Sequence, residues 1–145
     1  MKGKKNREVK TLYLLDTNIC IYAINMRSKS VVEKVRQRSV DEIAISSVTV
    51  AELEYGLQKS TRKNTTREAL IEFLAPFSII DFTSLDAAEY GKIRAFLEEK
   101  GTPIGAYDLQ LAAQALARDL VLVSNNAKEF TRVPGLKLEN WAAAD

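Results

Sequence analysis

The chain of 145 residues contains no histidine and a single cysteine, Cys20. The absence of histidine excludes Ser-His-Asp and Cys-His catalysis, histidine general acids and histidine zinc sites. One cysteine excludes an internal disulfide and a thiolate zinc cluster, and it favours a reducing, cytoplasmic location. Any metal ion must therefore be held by oxygen ligands, which suit Mg²⁺ or Mn²⁺.

Long apolar runs are also missing. No run approaches the roughly 20 residues that cross a bilayer, and no secretory signal follows the charged N-terminus, so we expect no membrane contact. The net charge is +2, of which residues 1–10 contribute +4 from five basic residues and one acid, leaving −2 for the remainder. We interpret residues 1–10 as a basic, disordered tail and residues 11–145 as one domain.

Short apolar segments alternate with helical ones along the domain. The predicted strands cover residues 12–15, 42–47, 78–82, 120–124 and 136–140. The predicted helices cover residues 19–24, 31–38, 48–58, 65–76, 83–100 and 107–119. Thr65 is expected to cap the fourth helix, and Thr83 with Asp86 forms a capping-box variant at the fifth. This alternation predicts an α/β fold in three layers, with a central, mostly parallel sheet of four to five strands.

Asp16 directly follows the first strand, LYLL. Ligands of parallel α/β sheets bind beyond the carboxyl ends of the strands, so Asp16 is a candidate site residue. Helix capping is the alternative explanation, but Asn18 lies closer to the expected cap position. Capping alone therefore does not account for Asp16.

Two further acids lie on predicted helices. Glu52 shares a helical face with Val48 and Tyr55, and a carboxylate beside an apolar face is costly unless it is paired or binds metal. Asp108 opens a helix after a glycine-containing turn, where the helix dipole alone would stabilise an acid. The ordinary explanation for Glu52 is a solvated mid-helix glutamate, which its apolar neighbours weaken, and the ordinary explanation for Asp108 is the helix dipole.

Polar and basic residues mark two other places. Asn125 and Asn126 follow the strand LVLVS and form either a turn or part of the same strand-end site. Lys59, Arg62 and Lys63 lie in a segment without acids. Such a segment is either a solvated surface or a contact with RNA phosphates.

The three acids and the two asparagines lie within four segments that occur in the order LLDTNICIYA, SSVTVAELEYG, GTPIGAYDLQLAAQA and LVSNNAKEFTRVPGLKLENW. Together the segments resemble the PIN-domain ribonucleases, and more closely the VapC toxins of bacterial toxin–antitoxin pairs. The resemblance extends from about residue 11 to residue 141 and implies a PIN-like fold.

The resemblance implies that Asp16, Glu52 and Asp108 hold a divalent metal ion and are catalytic. Thr17 and Asn18 complete the first motif as supporting residues. Many PIN domains carry a fourth acid after the next strand, where this chain has the neutral Asn126. That difference weakens the expectation of a firmly held second metal ion.

The implied reaction is hydrolysis of structured RNA by metal-activated water, a chemistry that needs no histidine. Relatives often cut transfer RNA in the anticodon stem-loop and so inhibit translation. The implied partners are a VapB-type antitoxin that blocks the site and a second copy of the chain. A higher assembly of toxin and antitoxin would bind operator DNA through the antitoxin.

Two other functions remain open from the sequence. A catalytically weak PIN-like module would bind RNA or protein without turnover, and Asn126 is compatible with it. A receiver-like domain would accept phosphate on an aspartate, but such domains pair acids after the first strand, where Asp16 stands alone.

Overall fold

A computed structural model describes residues 10–142, and residues 1–9 of the predicted basic tail lie outside them. Within these residues, five parallel strands form one sheet in the order β3-β2-β1-β4-β5. The strands are β1 (Tyr13–Leu15), β2 (Ile43–Ser46), β3 (Ser78–Ile80), β4 (Val121–Val123) and β5 (Lys137–Glu139). The predicted α/β class with a central parallel sheet is confirmed. The division into a tail and a domain at residue 10 stays a prediction.

Seven α-helices surround the sheet within residues 10–142. They are α1 (Thr17–Ile24), α2 (Lys29–Arg36), α3 (Ser47–Gln58), α4 (Lys63–Leu74), α5 (Ser84–Glu99), α6 (Ala106–Ala117) and α7 (Ala127–Phe130). A short 3₁₀ turn, Val40–Glu42, precedes β2. In the described part of the chain, no helix is both long enough and apolar enough to cross a membrane.

The two faces of the sheet bury separate apolar cores. Leu14 of β1 belongs to the core under α5 and α6, whereas Leu15 belongs to the core under α1 and α4. Successive strand residues point to opposite faces, so a strand covered on both faces is apolar throughout. Cys20 is fully buried in the second core, as a small apolar residue would be.

The helix starts differ from the prediction at α4. The predicted cap, Thr65, is wrong, because the helix already begins at Lys63 with Arg62 as its N-cap and without a side-chain cap. The Ser60 hydroxyl accepts the Arg62 N–H at 3.1 Å and lies 2.9 Å from the Thr66 hydroxyl. This local turn starts the helix before Thr65.

The capping box at α5 is present. The Thr83 N–H donates to Asp86 Oδ2 at 2.8 Å, and an Arg118 Nη2 of α6's end donates to the same oxygen at 3.0 Å. Burial raises the pKa of Asp86. The hydrogen bond and charge of Arg118 and the hydrogen bonds of Thr83 lower it, and the pKa lies below its ordinary value. The buried Asp86 carboxylate therefore ties α5 to α6.

Candidate active site

The carboxyl ends of the three central strands carry buried polar side chains. Asp16 follows β1, Ser46 ends β2 and Ser124 follows β4, and none is more than 4% exposed. The Asp16 N–H donates to the Val123 carbonyl at 2.9 Å, which keeps Asp16 beside Ser124. Asp16 therefore lies at the edge of the sheet where α/β folds place their ligands.

The Asp16 carboxylate is held by two hydrogen bonds. Its Oδ1 accepts the Ile19 N–H at 2.9 Å, so Asp16 is the N-cap of α1. The prediction that the cap lies closer to Asn18 is therefore wrong. Asn18 is exposed instead. The Ser124 hydroxyl also bonds to Asp16, and both bonds lower its pKa. Burial outweighs them and, together with the negative charge of Glu52, raises the pKa of Asp16 to about 6.

Thr17 of α1 contacts the Glu52 carboxylate, which is half-buried on α3. The Thr17 hydroxyl donates to Glu52 Oε1 at 2.9 Å and lies 3.3 Å from the Thr49 hydroxyl. The neighbouring acid Glu54 points elsewhere and pairs with Arg67 at 3.1 Å. Thr17 thereby links the first motif to the second acid.

Asp108 lies in the first turn of α6 and is half-buried beside Glu129 of α7. The pKa of Asp108 is raised to about 7. Burial is the largest cause, followed by the hydrogen bond and charge of Glu129 and then by the charges of Asp16 and Glu52. The structure therefore gathers the three predicted acids, together with Glu129.

Glu129 is an acid that the sequence analysis did not select. Its Oε1 also accepts the N–H of Gly105, the N-cap of α6, at 3.3 Å. Asn126, the residue predicted at the fourth acid's position, is half-buried and caps α7, and its N–H donates to the Ser124 hydroxyl at 2.9 Å. The block NNAKEF contained the signal, because Glu129 lies about one helical turn after Asn126.

The basic residues of the sequence analysis lie at the turn between α3 and α4. Lys59, Arg62 and Lys63 are all exposed. Lys59 is the C-cap of α3, and its Nζ lies 4.5 Å from the centroid of the Tyr55 ring. The helix that presents Glu52 therefore ends in this basic turn.

The acids match an oxygen-bound divalent cation in chemistry, but they do not form a closed cage. Within residues 10–142, no group of three or more acidic, histidine or cysteine side chains is arranged so that it could hold a metal ion. Glu52 is bonded to Thr17, and Asp108 to Glu129. Burial, with the neighbouring acid charges, raises the pKa of Asp16 and Asp108, and a cation would supply the missing positive charge once these hydrogen bonds exchange.

An apolar groove of about 270 Å³ adjoins Glu52 between α1, α3 and α4. Its apolar lining consists of Ile21, Ile24, Leu53, Leu57 and Leu70, and Asn25 and Glu52 supply polar groups. A segment bound in this groove would therefore lie beside the acids.

The chain is similar to known proteins over most of its length. Residues 13–136 match the PIN domain family. The chain is 46% identical over 131 residues to Ribonuclease VapC2 of Rickettsia felis, covering 90% of this chain and 98% of the relative. It is 39% identical over 132 residues to the tRNA(fMet)-specific endonuclease VapC of Salmonella typhimurium, covering 89% and 97%.

Solved structures show the same similarity. The crystal structure of VapBC2 from Rickettsia felis bound to a promoter DNA fragment aligns with a TM-score of 0.85 and 45% identity, over 90% of this chain and 99% of that one. DNA-bound VapBC from Salmonella typhimurium aligns with a TM-score of 0.86 and 37% identity, over 90% and 98%. The chain therefore belongs to the PIN-domain family, within the group of the VapC ribonucleases.

Proposed function

We propose that this protein is a metal-dependent endoribonuclease and the toxin of a toxin–antitoxin pair. The observation that carries the proposal is the convergence of Asp16, Glu52, Asp108 and Glu129 at the carboxyl edge of the sheet. Burial, with the charges of neighbouring carboxylates, raises the pKa of Asp16 and of Asp108, which is the expected behaviour of carboxylates gathered for a cation. The relatives named as ribonucleases support RNA as the substrate.

Asp16, Glu52 and Asp108 would hold Mg²⁺ or Mn²⁺, with Glu129 beside them. A bound divalent cation stabilises charge on phosphate oxygens and lowers the pKa of water. Asp16 is fixed for this task by the Ile19 N–H and the Ser124 hydroxyl. The pKa of Asp108 is raised to about 7, so cation binding near neutral pH would release its proton.

Transfer RNA, cut in the anticodon stem-loop, is the substrate that we propose. The Salmonella relative is named a tRNA(fMet)-specific endonuclease, and a Shigella flexneri relative of the same name is 38% identical. Cleavage of such an RNA would inhibit translation.

A VapB-type antitoxin is the proposed partner. The similar solved structures are VapBC complexes, two of them with DNA. We propose that an apolar antitoxin segment occupies the groove beside Glu52 and blocks the acids, that the toxin is a homodimer, and that the antitoxin carries the assembly to operator DNA.

The experiment is incubation of the antitoxin-free protein with total bacterial RNA, with Mg²⁺ or Mn²⁺ and with a chelator. Asp16→Asn is the test variant, because asparagine retains the α1 cap but removes the charge. Glu54→Gln is the matched control, because Glu54 lies on the same helix as Glu52 but pairs with Arg67 outside the acid cluster. We expect discrete cuts that need both the cation and Asp16, with Glu54→Gln active.

Loss of the metal requirement or full activity of Asp16→Asn would overturn the mechanism. If the folded protein binds cation and RNA but cuts neither total RNA nor transfer RNA, the binding-only function replaces the nuclease. The feature that favours this second function is the neutral Asn126, which stands where many PIN domains carry an acid.

A further inference from the structure

A strip of side chains leads away from Glu52 along α3. Glu52, Tyr55 and Lys59 are spaced three and four residues apart, so they lie on one face of the helix. At a rise of 1.5 Å per residue, Lys59 lies about 10 Å beyond Glu52 along the helix axis. Beyond the end of α3 we include in the strip Arg62, the N-cap of α4, and Lys63, its first residue.

Tyr55 is the aromatic member of this α3 strip, and it is 64% exposed. The Lys59 Nζ lies 4.5 Å from the centroid of its ring. A Cβ added at Gly56, the next residue along α3, would meet no atom within 4 Å, so the helix surface at Gly56 is open. An exposed ring flanked by a cation is the arrangement on which nucleic-acid bases stack.

The charges of the strip favour a phosphate chain. Within the described residues, Lys59, Arg62 and Lys63 form no ion pair with a carboxylate. Glu54, the nearest acid outside the site on α3, is neutralised by Arg67. The strip therefore presents positive charge next to an acid cluster that would otherwise repel RNA.

We propose that Tyr55 stacks on an unpaired base beside the scissile phosphate, while Lys59, Arg62 and Lys63 contact the neighbouring phosphates. This rests on the proposed nuclease function and deepens it, since it makes unpaired RNA the substrate class at this site. A base within a duplex is already stacked on both faces, so the ring selects loops over stems.

Helix α5 offers a matched control pair. Phe96 is 39% exposed, and the Lys100 Nζ lies 5.4 Å from its ring, in the same aromatic–lysine spacing. One turn before Phe96, however, stands the buried Ile93 rather than an acid. A general effect of losing an exposed ring beside a lysine would appear at both helices.

The test compares Tyr55→Leu, Tyr55→Phe and Phe96→Leu. Binding is measured by fluorescence anisotropy in the Asp16→Asn background with Mg²⁺, using a hairpin with 2-aminopurine in its loop and a fully paired duplex. Tyr55→Leu should weaken hairpin binding about 5- to 50-fold and remove the quenching of 2-aminopurine. Duplex binding should change less than about twofold, as should hairpin binding by Tyr55→Phe and Phe96→Leu.

In the active protein, Tyr55→Leu should raise KM for the hairpin while kcat falls little, because the ring binds the base outside the acid cluster. Lys59→Ala should weaken binding of both RNAs and reduce the salt dependence of binding by about one phosphate contact.

Three results overturn the proposal while the nuclease function survives. Tyr55→Leu binds the hairpin as Phe96→Leu does, or it loses hairpin and duplex equally, or it changes only the oligomeric state measured by light scattering. Absence of both RNA binding and cleavage in the folded parent protein overturns the nuclease function, and this inference with it.

Discussion

The Thr17 hydroxyl donates a hydrogen bond of 2.9 Å to Glu52 Oε1, joining two residues 35 positions apart in the chain. Thr17 opens α1 directly after Asp16, and Glu52 lies in α3. The bond fixes the second acid relative to the first. It also fixes the orientation of the Glu52 carboxylate, and a cation would have to bind the carboxylate in that orientation.

Thr17→Val removes this hydrogen bond but keeps the shape of the side chain. We expect the Mg²⁺ concentration for half-maximal cleavage to rise about 10-fold, as for other residues that orient metal ligands. The free energy of unfolding should change by only about 1 kcal/mol. The check is a Mg²⁺ titration of cleavage alongside thermal unfolding.

Thr17→Ser restores the hydroxyl and should recover most of the Mg²⁺ affinity. Equal Mg²⁺ requirements for Thr17→Val and the native chain would show that the bond does not position Glu52.

Asp16 should make the metal-free protein less stable at high pH. Its folded pKa of about 6 lies above the ordinary unfolded value near 3.9, so the folded state binds the proton more tightly. The free energy of unfolding therefore falls as the pH rises through this interval. Asp16→Asn lacks the charge and should be more stable than the native chain by about 3 kcal/mol at pH 8.

The measurement is chemical denaturation of both proteins in chelator at pH 4 and pH 8. The advantage of Asp16→Asn should nearly vanish at pH 4 and shrink at pH 8 when Mg²⁺ is added. A constant difference between the two proteins at both pH values would contradict the assigned pKa.

Glu129, rather than Asn126, should act as the fourth site residue. Glu129→Gln removes the charge that raises the pKa of Asp108, so Asp108 should release its proton at lower pH. We expect a rise in Mg²⁺ requirement of about 10-fold, with the pH dependence of Mg²⁺ binding moved to lower pH. Calorimetric Mg²⁺ titrations between pH 5.5 and 8 measure both effects.

Asn126→Ala is the matched control from the same short segment. Its cleavage rate and Mg²⁺ requirement should stay within about threefold of the native chain, since Asn126 makes no side-chain cap bond in α7. The opposite ranking of these two variants would return the fourth position to Asn126.

Asp86 should contribute to stability and not to catalysis. Asp86→Ala leaves Arg118 without its carboxylate and Thr83 without its capping partner, so the free energy of unfolding should fall by about 3 kcal/mol. Because the folded pKa of Asp86 is lowered, its contribution is present above the unfolded value and is lost as the pH falls through the folded one. Urea unfolding at pH 7 and pH 3 measures this loss.

Cleavage by the folded fraction of Asp86→Ala should match the native chain at low temperature. A large loss of turnover in fully folded protein would place Asp86 in the function after all.

The amino-acid sequence by itself determined the class of the fold, and the family resemblance predicted three of the acids. Strands covered on both faces are uniformly apolar, so β1, β2 and β4 could be predicted from their apolar runs. The polar residues at their ends indicated the edge of the sheet where ligands bind. Asp16, Glu52 and Asp108 were found because the family motifs name their positions. Thr83 with Asp86 was readable because a capping box is local in sequence.

Only the tertiary structure decided how these residues meet. The cap at Asp16 depends on where α1 bends away from β1, and the pairing of Glu129 with Asp108 depends on how α7 packs against α6. The first contact depends on the direction of the backbone after β1, and the second joins two segments that are separated in the chain. Residue spacing alone predicts neither of them. The raised pKa values of Asp16 and Asp108 also depend on the tertiary structure, because burial and neighbouring charges arise only when the chain is folded.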